Sequence, residues 1–233
     1  MSHSFPTRRS SDLRAPEVPV FQVEDPPLVD PRKAPPPEAV EELRRELALG
    51  PCPVVLYSGN FEPYQGVELL LDALVLVPHA QLLLMGGSPA DVARMKTQAR
   101  SRGVSERCVF SGQRPPSELP VFFAVADVLA SPRAKGQNTP FKIFTYLASG
   151  RPLVATRIPT HTQLLDDTTA FLVEPTPEGL ASGFRAALDH PEDAAARAAR
   201  GRDLLEREYG VERYREKIAR AYAAVERLAA RSS

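Results

Sequence analysis

Cysteine is scarce in this 233-residue chain. Only Cys52 and Cys108 occur, which leaves no disulfide framework and no cysteine-based zinc site. Histidine is equally thin: His3, His79, His161 and His190 are scattered, so a clustered metal centre is not expected. An excess of one charge is lacking too, with 29 basic and 29 acidic side chains and a formal net charge of zero. A nucleic-acid partner, which would need a basic excess or stripe, is therefore not expected. Long apolar runs are also missing, since Leu69-Leu70-Leu71 and Ala73-Leu74-Val75-Leu76-Val77 are interrupted by Asp72 and fall far short of a membrane span. These absences leave the expectation of a soluble, cytoplasmic protein, 43% hydrophobic and 25% charged, long enough to bury a full core.

Proline, by contrast, is abundant. Nine of the 24 prolines precede Glu38, in a stretch without apolar periodicity. The run Phe5-Pro6-Thr7-Arg8-Arg9-Ser10-Ser11-Asp12-Leu13 matches the translation of a common short-read sequencing adapter. Residues 1–13 are accordingly read as an artefact and excluded from fold reasoning; the alternative is a basic, Ser-rich targeting peptide, although no apolar segment follows it. Residues 14–37 are acidic and proline-rich, the composition of a linker or of chain laid along a surface, or of plain disorder.

From residue 38 the pattern becomes regular. Glu38 to Leu49 has helical periodicity stopped by Gly50, and Pro53-Val54-Val55-Leu56-Tyr57 is a short continuous apolar run of the kind that forms a buried parallel strand. Helical and strand-like segments then alternate: helices over 66–77, 88–102, 116–126, 140–149, 161–165 and 177–188, strands over 80–85, 107–110, 127–130, 152–155 and 170–173. Ser88-Pro89-Ala90-Asp91 combines an N-cap, a proline at the first helical position and a first-turn acid. Such alternation predicts βαβ units and an α/β fold with a doubly wound parallel six-stranded sheet. The tail, residues 191–233, changes character. Val211, Tyr214, Ile218, Tyr222, Val225 and Leu228 recur every three or four residues, predicting an amphipathic helix whose stripe covers either its own sheet layer or a groove towards a second lobe.

Ligands of open parallel sheets bind beyond the carboxyl ends of the strands. Here those ends read Ser58-Gly59, Gly86-Gly87, Ser111-Gly112, Ser131-Pro132 and Thr156, small residues that let backbone approach a ligand closely. The loop Ser131-Pro132-Arg133-Ala134-Lys135-Gly136-Gln137-Asn138 leads into a helix at Thr139-Pro140, where free N–H groups and the positive end of the dipole favour an anion. Arg133 and Lys135 add positive charge. Lys142, in the first turn, opposes the dipole unless an anion or a carboxylate compensates it.

These residues, taken with Leu56-Tyr57-Ser58-Gly59-Asn60-Phe61-Glu62-Pro63-Tyr64-Gln65-Gly66, Val109-Phe110-Ser111-Gly112, Ala126-Asp127-Val128-Leu129-Ala130-Ser131-Pro132 and Tyr146-Leu147-Ala148-Ser149-Gly150-Arg151-Pro152-Leu153-Val154-Ala155, resemble the C-terminal, donor-binding lobe of GT-B glycosyltransferases of family 4. The resemblance implies a Rossmann-like nucleotide-sugar-binding lobe over residues 38–190, completed by C-terminal helices over 191–233. It also implies an enzyme that moves a sugar from a nucleotide-diphosphate donor to an acceptor with retention of configuration. No cofactor and no bound metal are implied; the nucleotide-sugar is a substrate. The acceptor, a sugar or a lipid-linked acceptor, would be held by an N-terminal lobe missing here, and peripheral membrane association of the intact enzyme stays open. Lys135 and Gln137 are the implied catalytic positions. Gly59, Asn60, Gln65, Gly86, Gly87, Arg133, Asn138, Thr139, Lys142, Thr145 and His161 are the implied donor-binding positions, with Gln163 where the family often has a glutamate.

The departures from the family are specific. Asn60 and Gln65 stand where many members carry an arginine and a lysine directed at the diphosphate, and Gln137 and Thr145 stand where two glutamates are common. Neutral donors are roughly half as strong as charge-assisted ones. Either the positive charge is relocated to Arg133, Lys135 or Lys142, or the site has decayed into a non-catalytic binding or scaffold domain; a sugar-nucleotide epimerase on the same architecture is a third reading. His161 either touches the donor or caps the short helix beside it. The truncation reading makes its own prediction: sequencing the uninterrupted gene should reveal, ahead of Arg14, a second βα-repeating lobe of about 150 to 200 residues, and its absence would refute it.

Overall fold

The computed structural model describes Phe21, Val23 and residues 34–136 and 139–232, with side chains up to Leu228 in the last helix. The expectations for residues 1–13 and for most of 14–37 lie outside the described residues. Six strands form one sheet: β1 (Val54–Gly59), β2 (Gln81–Gly86), β3 (Cys108–Gly112), β4 (Val128–Ser131), β5 (Leu153–Thr156) and β6 (Phe171–Val173). Every pairing is parallel and the order is β3-β2-β1-β4-β5-β6. The order reverses between β1 and β4, so the chain leaves these neighbours in opposite directions and a crevice opens beyond their carboxyl ends.

The helices are α1 (Pro37–Glu46), α2 (Val67–Val75), α3 (Pro89–Ser101), α4 (Leu119–Val125), α5 (Phe141–Ser149), α6 (Pro159–Thr162), α7 (Pro177–Asp189), α8 (Pro191–Tyr209) and α9 (Val211–Ser232). They cover both faces of the sheet, and each face has its own core. Val55, Tyr57, Leu82 and Leu84 point into one, with α2, α3 and α7; Val54, Leu56, Leu83 and Leu129 point into the other, with α4 and α5. Period-two alternation along strands that are apolar on both faces explains why the segments read as continuous hydrophobic runs. No helix among the described residues is long and apolar enough to cross a membrane.

Local chemistry sets several boundaries. Ser88 and Asp91 form the reciprocal cap at the start of α3. α1 stops earlier than Gly50: Ala48 takes a left-handed φ of 50° and Leu49 N–H donates to the Arg44 carbonyl at 2.9 Å. Gly50 instead gives its N–H to Gln81 Oε1 at 3.1 Å. α6 begins two residues before the expected position, because Pro159 occupies its first turn. The tail breaks into two helices at Gly210, whose φ of −66° and ψ of 164° are extended. α8 packs on α5 and α7, while α9 packs on α8. The α9 stripe is therefore not spread over the sheet: Ala224 is buried, but Val211, Tyr222 and Val225 stay exposed.

One contact holds the crevice together. Gly66, at φ 68°, closes the loop after β1 and starts α2, and a Cβ there would run into the Pro132 carbonyl oxygen after β4. Ala134 N–H also donates to the Tyr64 carbonyl at 3.2 Å. Gly66→Ala combines left-handed strain of about 1–2 kcal/mol with that backbone clash. It should lower the urea midpoint by the equivalent of at least about 2 kcal/mol; an unchanged midpoint would contradict the contact.

Candidate functional site

Beyond the carboxyl ends of β1, β2 and β3, beside the start of α5, lies an open cavity of about 360 Å³, within the range of small-molecule sites. Gly59 and Gly86 form its floor at the strand tips, and Lys142 and Thr145 face it from α5. Lys142 and Thr145 are three residues apart and so share one helix face, while Ile143, Phe144, Tyr146, Leu147 and Ala148 are buried. The tip of β1 is clamped to this helix by Tyr146, whose hydroxyl accepts from Ser58 N–H at 2.8 Å and donates to the Ser58 carbonyl at 3.3 Å. Burial pushes the Tyr146 phenol up to about 12.

Lys142 is the unusual residue. Its Nζ is buried without a hydrogen-bond partner, as is Thr145 Oγ1. The ammonium end sits 3.9 Å from the centre of the Tyr57 ring, on the face that attracts a cation. A Cβ at Gly59 would stand 2.7 Å from that Nζ, so a side chain there would push the end of Lys142 aside, and the φ of 141° favours glycine in any case. Gly86 is needed in turn because a Cβ there would strike the Gly59 carbonyl. No carboxylate compensates Lys142 in the cavity wall. Burial, and secondarily the nearby positive charge of Arg133, lower its pKa from 10.5 to about 7.

Of the other described candidates, Gly87, Asn60, Gln65, Arg133, Lys135, Thr139 and His161 are not among the residues lining the cavity. Gly87 N–H donates to the Gly59 carbonyl at 3.2 Å. Asn60 is exposed; its carbonyl accepts from Tyr57 Oη at 2.6 Å. Gln65 is buried beside the Gly66 contact. Arg133 folds back on its own loop, with Nε donating to the Lys135 carbonyl at 2.8 Å and its guanidinium 5.3 Å from the Tyr64 ring centre. Lys135 is exposed and Thr139 accepts from Gln163 Nε2 at 2.6 Å; neither is among the residues lining the cavity. Gln137 and Asn138 lie outside the described residues.

His161 is positioned differently from a donor ligand. It is fully buried, with Nδ1 2.8 Å from the Thr156 carbonyl and Nε2 3.0 Å from Ser131 Oγ. A carbonyl only accepts, so Nδ1 carries the proton and Nε2 accepts from Ser131. Burial lowers its pKa to about 4, and the neutral ring ties the tips of β4 and β5 together.

Six lining residues carry no motif: Met85 and Phe141, and, after β3, Gln113, Arg114, Pro116 and Leu119. Arg114 is already engaged by Glu46 and by Glu118. Proximity to the β3 carboxyl end is the sequence signal that could have found the last four. Among the described residues no group of three or more His, Cys, Asp or Glu could hold a metal ion.

Burying an uncompensated amine costs stability. The Lys142 pKa is lower in the folded than in the unfolded chain, so between about pH 7 and pH 10.5 the unfolded state binds more protons and stability contributed by this residue rises with pH. Lys142→Met should be more stable than wild type at pH 7 by at least about 1 kcal/mol, and its urea midpoint should lack that rise. A destabilised variant would show that Lys142 serves the fold.

Comparison with known proteins agrees with this fold. A family model described as "Glycosyl transferases group 1" matches residues 52–190. The GDP-mannose-dependent alpha-(1-6)-phosphatidylinositol monomannoside mannosyltransferase of Mycolicibacterium smegmatis is 34% identical over 190 residues, covering 76% of this chain and 50% of that protein. The D-inositol 3-phosphate glycosyltransferase of Corynebacterium glutamicum is 29% identical over 130 residues, 52% of this chain and 31% of that one. The chain thus spans half or less of the length of these curated relatives. Among solved structures, Anabaena HepE in complex with UDP superposes with a TM-score of 0.75 at 21% identity, over 82% of this chain and 54% of that one. Sucrose-phosphate synthase from Thermosynechococcus elongatus gives 0.74 at 24% identity, over 91% and 52%; at these identities the likeness is one of fold. The six-stranded order and the extent of the family match lead to one assignment: this chain belongs to the glycosyl transferases group 1 family.

Proposed function

We propose that this chain is the donor-binding lobe of a retaining glycosyltransferase and that its cavity holds a nucleotide-diphosphate sugar. The observation that carries this reading is the pair of buried, unpartnered polar atoms, Lys142 Nζ and Thr145 Oγ1, on the wall of a glycine-floored cavity. An unsatisfied buried donor is expensive in a folded protein and asks for a partner from outside. A diphosphate supplies anionic acceptors for the amine, for the hydroxyl and for the first-turn amides of α5, where Pro140 provides no side-chain cap.

In the transfer, the bond from the sugar's anomeric carbon to the distal phosphate oxygen breaks and a bond to the acceptor oxygen forms. The acceptor's proton leaves with the nucleoside diphosphate. Negative charge grows on the phosphate that departs, and Lys142 stands where a cation would oppose it. Lys135, exposed on the loop before α5, would add mobile charge, and Gln137 is proposed as the second catalytic position. Thr145 replaces a carboxylate grip on the ribose by a single hydroxyl, so Asn60, Gln65 and Thr145 are read as a retuned site with its cation moved to α5.

The names of the relatives supply the finer reading. They act on a phosphatidylinositol mannoside with GDP-mannose or on inositol 3-phosphate, so we propose a polyol or lipid-linked acceptor held by a facing lobe. We also propose a cytoplasmic enzyme with peripheral membrane association. An epimerase would need a pair of acid and base groups at the sugar, and the described cavity lining has neither a carboxylate nor a histidine to pair with Lys142.

Calorimetric titration of the chain with UDP and GDP tests this. Binding of at least one is expected, weakened about tenfold or more by Lys142→Ala and less by Lys135→Ala. No heat from either nucleotide at millimolar concentration would instead support the non-catalytic domain.

A further inference from the structure

We propose that the cavity takes up a proton together with its phosphorylated ligand, and that the proton lodges on the Lys142 amine. This rests on the reading of the cavity as a nucleotide-sugar site and adds to it a dependence on pH.

The groups around Nζ come from five parts of the fold. From β1, Tyr57 offers a ring face at 3.9 Å and its phenol, raised far above 10 by burial, stays neutral. From the loop after β4, Arg133 contributes positive charge. On α5 itself lie Thr145 and Tyr146, both uncharged. From the loop after β3, Arg114 is bound to Glu46 and Glu118. On α6, His161 is a neutral ring with both nitrogens engaged. The described lining contains no aspartate or glutamate. The amine thus meets neutral dipoles and the positive charge of Arg133, and lacks a counterion within hydrogen-bond distance.

A buried ammonium without a counterion gives up its proton more readily, and burial here brings the titration to about pH 7. A diphosphate beside Nζ reverses the balance, since an opposite charge within a few ångström favours the charged form by about 1–3 pH units. The amine is then largely neutral in the free protein above pH 7 and an ammonium in the complex. An arginine in this place would be charged in both states; the lysine makes affinity fall as pH rises, by up to tenfold per pH unit, across the window between the two midpoints.

The test uses calorimetry on the full chain with UDP-glucose and GDP-mannose, whose diphosphates do not titrate between pH 6 and 8. Buffers of different ionisation enthalpy read the number of protons taken up. For whichever ligand binds, uptake of more than about half a proton is expected at pH 8 and less than about 0.2 at pH 6, with tighter binding at pH 6. Lys142→Arg should bind without uptake and with an affinity that does not change over this range. Wild-type binding at pH 8 with no proton taken up would overturn the proposal and leave the donor site standing. Uptake that persists in Lys142→Arg would overturn it by locating the proton on another group. Failure of both ligands to bind wild type at either pH would remove the donor site itself.

Discussion

The site depends on the reversal of strand order between β1 and β4. The connections from these two neighbours leave on opposite faces of the sheet, and no helix can cover the point from which both depart. Two features keep that opening narrow and shaped: the close approach of Gly66 to the Pro132 carbonyl, and the Tyr146 hydroxyl that joins α5 to Ser58. The first joins the two loops and the second fixes the helix that carries the cation. With both in place, a lysine on the first turn of α5 arrives beside the tip of a strand that precedes it by more than eighty residues.

Most of the architecture was legible because it follows from local rules. Strands buried on both faces read as short apolar runs, and glycine or proline marks nearly every boundary. The errors are those of local rules meeting distant contacts. α1 ends at an alanine in a left-handed turn, although Gly50 was the obvious stop; that glycine is engaged with Gln81 across the sheet. The tail's stripe from Val211 to Leu228 does fall on one helix, α9, yet that helix packs on α8 and leaves Val211, Tyr222 and Val225 without cover.

The cavity was legible in outline and not in its details. Glycines at strand tips and a helix start after β4 could be read directly. The burial of Lys142 could not, because it depends on the absence of a side chain at Gly59 and on the Tyr57 ring, both remote in sequence. The sequence view gave greater weight to Lys135, which stands in an exposed loop. His161 shows the same limit from the other side: its position beyond β5 suggests ligand contact, and only the hydrogen bonds to Ser131 and Thr156 reveal a structural clasp.

The close approach of Gly59 to Lys142 links two positions that share no element and no neighbourhood in the chain. A methyl group on the first would occupy the space of the second's nitrogen. A residue other than glycine at the tip of β1 would have to displace the end of Lys142 and would itself sit in a backbone conformation, φ 141°, that side chains rarely adopt.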